Sequence, residues 1–358
     1  MSSSEYALLL EDGGHTSRRT LSTTRCIVNF MKGEDEPSWA ESFRFFFFAT
    51  WFNILLVFIP LSFMSYNLDW DVDLVFFFSF MAILPLAKLL GEATDQLSVK
   101  LGETMSGLLN ATIGNAVEII VGVAALLNGQ LRIVQLSMLG SILSDILLVL
   151  GCSFLAGGLY HTEGFFNGTG AQASASLKSH PNLFIAPFSL TEEQNSETTE
   201  TEETEFHMGT AAAGVALLSV TVVIAFCAEY LVASIEETAV RYSIPKTFIG
   251  VVLLPIVGNA AEHVTSVWMA MKNKYELTIT ICVGSSIQIV CLVVPLLVIA
   301  GWIVDQPLTL HFHNFETIVL FVSVFLVNLL LMDGKANYME GLMLLTLYLV
   351  IALAFWVA

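Results

Sequence analysis

Nine apolar runs set the limits on what this chain can become: 45–63, 72–90, 107–127, 133–157, 210–232, 248–271, 277–302, 312–332 and 338–357. Each is long enough, at 1.5 Å rise per residue, to cover about 30 Å of hydrocarbon. Only a segment that satisfies its own backbone polar groups survives in lipid, so runs of this kind fold as helices. The expected fold is an all-α polytopic membrane protein with about nine transmembrane helices. Composition agrees, because 13% of residues are charged where a soluble chain carries about 25%.

The net charge of −18 sits largely in polar tails and loops, notably "TEEQNSETTETEETE" at 191–205. No basic cluster suited to nucleic acid is present. The five cysteines are scattered without a CxxC pair, and four lie in apolar runs as small hydrophobes, so neither a disulfide scaffold nor a zinc site is expected. The first 43 residues are polar, and no cleavable leader is expected. With the N-terminus in the cytosol, eleven of the Lys and Arg residues fall on that side and only Arg132, Arg241 and Lys246 on the other, which fits the positive-inside rule. That topology puts the sequon Asn167-Gly168-Thr169 in the cytosol and Asn110-Ala111-Thr112 inside a run, so both are read as chance.

Two runs carry nearly the same peptide, "GNAVEIIVG" from Gly114 and "GNAAEHVTS" from Gly258. The offset of 144 is kept by Glu118 and Glu262, by Gly140 and Gly284, and by Glu92 and Glu236. Three runs separate the start of one copy's motif from that of the other. The two copies therefore cross the membrane in opposite senses, the inverted repeat of many secondary transporters, whose ion sites lie near the midplane. On the first copy's helix Asn110, Gly114, Glu118 and Gly122 share one face, as do Gly258, Glu262 and Ser266 in the second. On the following helix Ser137, Ser141, Ser144 and Asp145 form a polar stripe, answered by Ser285 and Gln288. Pro255 removes a backbone donor and is expected to kink its helix.

An unpaired carboxylate at the bilayer centre costs on the order of 2.5–3.5 kcal/mol on insertion scales, so two related ones point to function. Carboxylates with hydroxyl and amide oxygens form a hard donor set, suited to Ca²⁺ and less specifically to Mn²⁺. Two carboxylates hold either one divalent cation or about two protons, and that competition is sufficient for cation/proton exchange. His263 stands alone beside Glu262, as apt for a hydrogen bond between helices as for a proton role. An enzyme is not expected, since there is no nucleotide loop, no nucleophile with a His partner and no HExxH.

The stretches "GLLNATIGNAVEIIVG", "LGSILSDILLVLGCSFLAGG", "FIGVVLLPIVGNAAEH" and "VGSSIQI" closely resemble the vacuolar Ca²⁺/H⁺ exchangers of the calcium/cation antiporter superfamily. The likeness runs over about 89–157 and from about 226 to the end. It implies an inverted-repeat antiporter bundle in the vacuolar membrane, multi-pass with a cytosolic N-terminus, which uses a proton gradient to move cytosolic Ca²⁺ into the vacuole. Glu118 and Glu262 would be the central cation ligands, with Ser285, Gln288 and Ser141 completing the site. Glu92, Glu229 and Glu236, with His263, Asn115 and Asn259, would belong to the gate or the proton route. The transported ions are Ca²⁺ and H⁺ and no cofactor is implied; the partners are these ions and the lipid bilayer, not nucleic acid, and homo-oligomerisation is left open.

The resemblance divides the chain into a cytosolic tail at 1–43, a leading helix at 44–64, a first repeat at 72–157, a cytosolic acidic linker at 158–209 and a second repeat at 210–358. The linker matches the family's cytosolic acidic helix, although its composition equally fits a solvated linker. One departure stands out. The family is similar to an eleven-helix plan, and this chain reads as that plan without helices five and six, so its first repeat is incomplete. The alternative is therefore a truncated, non-transporting variant that acts as a scaffold or regulatory partner of a full-length exchanger. Na⁺-coupled exchange shares the superfamily, but the His after the second Glu and the acidic linker resemble the proton-coupled branch.

Overall fold

The computed structural model describes residues 37–161, 163–166 and 207–357, apart from positions 49, 100 and 102. The acidic stretch at 191–205, the sequon at Asn167 and Cys26 lie outside the described residues. Of the four cysteines inside them, none in a disulfide among the described residues, Cys227 and Cys282 are buried and Cys152 and Cys291 half-buried.

In chain order the elements are α1 (Trp39–Phe48), a 3₁₀ turn (Trp51–Val57) running into α2 (Phe58–Asn67), α3 (Val72–Ser98), α4 (Glu103–Ile113), α5 (Ala116–Leu127) and α6 (Leu131–Tyr160). A two-residue strand β1 (Gly164–Phe165) follows. The second half holds α7 (Thr210–Arg241), α8 (Lys246–Gly258), α9 (Ala260–Met271), α10 (Tyr275–Ile303), α11 (Asn314–Leu330), β2 (Lys335–Ala336) and α12 (Tyr338–Val357). Six of these are unbroken helices long and apolar enough to span a membrane: α3, α6, α7, α10, α11 with its last turn, and α12. The other three apolar runs are not single helices as the sequence suggested. The first turns by 93° after α1, where Thr50 is extended, and the side-chain amide of Asn53 donates to the carbonyls of Phe46 and Phe47 that the helix end leaves free.

The remaining two breaks are related. Asn115 (φ −98°, ψ 20°) separates α4 from α5, and Asn259 (φ −84°, ψ 19°) separates α8 from α9 with a bend of 61°. Each asparagine sits in the bridge region of backbone space, where an intrahelical ladder cannot continue. The bend expected at Pro255 thus lies at Asn259. The proline's missing donor is absorbed instead by a π-helical turn at Ile249–Leu253 just before it. Similar turns occur in the middle of α6 (Ser144–Val149) and of α10 (Ile289–Val293), one in each copy.

Contacts between helix ends sort the connections into two layers. At one end Arg241 pairs with Asp71 and Asp73, Gln130 with Glu236, and Arg132 with Glu316. At the other end His161 bonds the Met271 carbonyl, Gln96 accepts from the backbone of His207 and Met208, and β1 pairs antiparallel with β2. Successive spans therefore run in alternate directions, which leaves the two asparagine breaks in oppositely oriented copies.

The copies are packed unequally. In α6, 89% of the most apolar window is buried, against 33% in its counterpart α10. Gly140 of α6 presses on the Val251 carbonyl and Pro255 of α8, and Gly151 lies against Leu344 and the Gly341 carbonyl of α12. Gly284, the counterpart of Gly140, has open space where a Cβ would stand.

Candidate cation-binding site

Each break is braced by the other copy. The Asn115 side-chain amide donates to Gln288 Oε1 at 2.8 Å, tying the first break to α10. The Asn259 amide donates to the Ser141 carbonyl at 3.1 Å and to Asp145 Oδ1 at 2.5 Å, tying the second break to α6. Neither asparagine caps the helix that follows it. Their amides are used across the repeat interface instead.

One turn into α5 and α9 stand Glu118 and Glu262. Glu118 reaches across to Gly258, with Oε1 only 2.6 Å from where a Cβ on that glycine would be. Glu118, Glu262 and Asp145 lie within charge-interaction range of one another, and the Ser285 hydroxyl sits beside Asp145. A cavity of about 20 Å³ opens next to Glu118, lined by Ser137, Ser141, Gly258 and Ile289 among others. That is room for about one water molecule.

Hydrogen bonding at this point is lopsided. Glu118 Oε2, Glu262 Oε2, Asp145 Oδ2 and Asn259 Oδ1 are all buried with no hydrogen-bond partner. Four acceptor oxygens are stranded, and the neighbouring Ser144 hydroxyl is likewise buried without a partner. Buried polar atoms are satisfied in the great majority of cases, so acceptor oxygens grouped in this way suit a bound cation or protons. Among the described residues no three His, Cys, Asp or Glu side chains form a ready-made metal cluster. The arrangement is a loose set of oxygens, apt for binding and release.

The structure thus brings together Glu118, Glu262, Ser141, Ser285, Gln288, Asn115 and Asn259. His263 is beside them, its ring Nδ1 donating to the Asn259 carbonyl at 2.9 Å. The other three carboxylates lie apart. Glu92 pairs with Lys88 on α3 at 3.4 Å, and Lys88 also donates to Thr50. Glu229 is exposed on α7. Glu236 pairs with Lys246 at 2.6 Å at the rim of the bundle.

Sequence reasoning placed Asp145 in a polar stripe but not in the site. The duplication could not reveal it, because its counterpart at the offset of 144 is Ile289. The available signal was a carboxylate in mid-span, the same signal that marked Glu118 and Glu262.

The profile of the sodium/calcium exchanger protein family matches residues 73–179 and 212–357, which takes in both breaks and both bracing helices. The chain belongs to that family. It is 42% identical over 350 residues to the vacuolar calcium ion transporter of Schizosaccharomyces pombe, covering 86% of this chain and 85% of the relative. It is 38% identical over 369 residues to vacuolar cation/proton exchanger 3 of Oryza sativa subsp. japonica, covering 88% of each chain. Among solved structures, native YfkE superposes with a TM-score of 0.74 at 33% identity, covering 86% of this chain and 100% of that one. The 350 positions matched to the yeast relative outnumber the 86% of this 358-residue chain that they take in. The relative therefore carries residues inside the match that have no counterpart here.

Proposed function

We propose that this family member is a Ca²⁺/H⁺ antiporter of the vacuolar membrane, in which Glu118 and Glu262 bind a cation and protons by turns. The observation that carries the reading is the set of stranded acceptors at the two breaks, Glu118 Oε2, Glu262 Oε2 and Asn259 Oδ1 among them. A hard divalent cation satisfies such oxygens in one state and protons satisfy the carboxylates in the other. The names of the relatives, a vacuolar calcium ion transporter and a vacuolar cation/proton exchanger, supply the two ions and the membrane. Ser141, Ser285 and Gln288 complete the oxygen set, and Asn115 and Asn259 hold the breaks in place. His263 stands on the proton route. Mn²⁺ is a second cargo that the same oxygens accept less specifically. The N-terminal tail and the acidic linker face the cytosol, and Glu92, Glu229 and Glu236 act at the entry or in the gate.

A second reading has one observation in its favour. The poorly covered α10, set against the enclosed α6, fits a chain that lacks a helix pair and serves as a non-transporting partner of a complete exchanger. Purified chain in sealed vesicles decides between the two. Ca²⁺ uptake driven by a pH gradient, and absent in the Glu262→Gln variant, is the antiporter's result. No uptake by monodisperse wild-type protein overturns it in favour of the partner role.

A further inference from the structure

The helix α1 carries a surface that the ion site does not use. Ser38 and Glu41 start it with a capping box: the Ser38 hydroxyl accepts from the Glu41 N–H at 3.3 Å, and the Glu41 carboxylate accepts from the Ser38 N–H at 3.0 Å. Its roll about its own axis is then set by the bundle. Ser42 and Phe46, one turn apart, are buried. The Ser42 hydroxyl accepts the Gly209 N–H at 3.2 Å at the start of α7, and the Phe45 ring lies 4.4 Å from that of His207. With that face fixed, the next sector round the helix is a ladder of rings. Trp39, Phe43 and Phe47 stand at successive turns with centroids 6.0 and 6.2 Å apart, and Trp39 and Phe47 are exposed. Glu41 and Arg44 occupy the remaining sector, both exposed.

What covers the ladder follows from its surroundings. The axis turns by 93° between α1 and α2, so where α2 carries its apolar run into the membrane, α1 lies in the membrane plane. Phe48, Ile54 and Val57 continue the exposed apolar surface from α1 into that run. A ladder turned to water would swing Glu41 and Arg44 toward hydrocarbon, where charge is costly. Glu41 and Arg44 cancel in charge, and Glu34, Asp35 and Glu36 precede the helix, so attraction to anionic headgroups is not what would hold it. We propose that α1 is an interfacial helix, whose Trp39, Phe43 and Phe47 rings are seated at the headgroup–acyl boundary of zwitterionic lipid. Aromatic side chains favour that boundary, and the apolar face of such a helix enters it by about 5–10 Å. Through Ser42 and Phe45, α1 joins the bilayer surface to the start of α7. The assignment is independent of what the ion site binds.

The test is spin labelling of the full chain in phosphatidylcholine vesicles, with single cysteines placed in turn at Trp39, Phe43, Phe47, Glu41 and Arg44 on a cysteine-free background. Collision with oxygen, which concentrates in hydrocarbon, is compared with collision with a water-soluble nickel complex. Labels at the three ring positions are expected to favour oxygen, at a depth of about 5–10 Å, and labels at Glu41 and Arg44 to favour nickel. Nickel reaching all five positions alike would leave α1 in water. Protection of the ring positions from both agents would place them under protein, a second copy or the N-terminal tail. Either result overturns the proposal. Because a label can displace so short a helix, a second measurement uses the native ring. The fluorescence lost in Trp39→Phe is the emission of Trp39, and lipid brominated high on its acyl chains is expected to quench it more than lipid brominated near the chain ends. Trp39 emission that neither lipid quenches overturns the proposal without any label.

Discussion

Two glycines show how a single methyl group has different consequences on the two sides of this site. A Cβ on Gly258 would meet Glu118 Oε1, the free end of a flexible side chain. Gly258→Ala therefore moves the carboxylate with little effect on the fold: Ca²⁺ affinity falls while the melting temperature stays close to that of wild type. A Cβ on Gly140 would meet the Val251 carbonyl and Pro255, which cannot rotate away. Gly140→Ala should destabilise by about 1–3 kcal/mol, the usual range for overpacking, read as a lower melting temperature in detergent. At this scale the sequence was informative where residues are duplicated. Glu118, Glu262 and the glycines stood out because the second copy repeats them, whereas Asp145 pairs with Ile289 and did not.

At the scale of elements, apolar length predicted nine helices and the structure breaks three of them. Hydropathy does not register a backbone turn made by one asparagine, and Asn115 and Asn259 interrupt the ladder without interrupting the apolar run. The kink expected at Pro255 lies instead at Asn259, and a π turn just before the proline absorbs its missing donor. Helices at one end of the bundle are fastened by ion pairs of unequal strength. Glu316 on α11 is 3% exposed and takes its charge partner from Arg132 on α6. Arg132→Ala leaves Glu316 with the His313 backbone N–H alone as its close donor at 3.0 Å and should destabilise by about 1–3 kcal/mol. The cluster of Arg241 with Asp71 and Asp73 between α7 and α3 is exposed. The Asp73 backbone N–H, and then Arg241, hold the Asp71 carboxyl below its usual range. A carboxyl depressed in the folded state contributes stability above its unfolded pKa, and the contribution is lost as pH falls through the folded value. The stability difference between wild type and Arg241→Gln should therefore be small, shrink in high salt, and vanish on strong acidification.

Taken as a whole, the molecule is a pseudo-symmetric pair caught in an unsymmetric arrangement. α8 is sealed against α6 at Gly140, while nothing stands over Gly284 on α10. Ser141 is 3% exposed, and its counterpart Ser285 is half-buried. On a cysteine-free background without cation, Ser285→Cys should react with a small polar thiol reagent much faster than Ser141→Cys. The inverted duplication was legible in the sequence because four landmarks keep one offset, but this asymmetry was not, since a repeat carries no information on which copy is packed. The central claim is that a cation and protons compete for one set of oxygens around Glu118 and Glu262. It is tested most directly by adding Ca²⁺ to purified protein in weakly buffered solution and following pH with an indicator dye. Proton release that accompanies binding in wild type, and is diminished in Glu118→Gln and Glu262→Gln, is the predicted result. Ca²⁺ bound with no proton release across the pH range in which it binds would contradict the account.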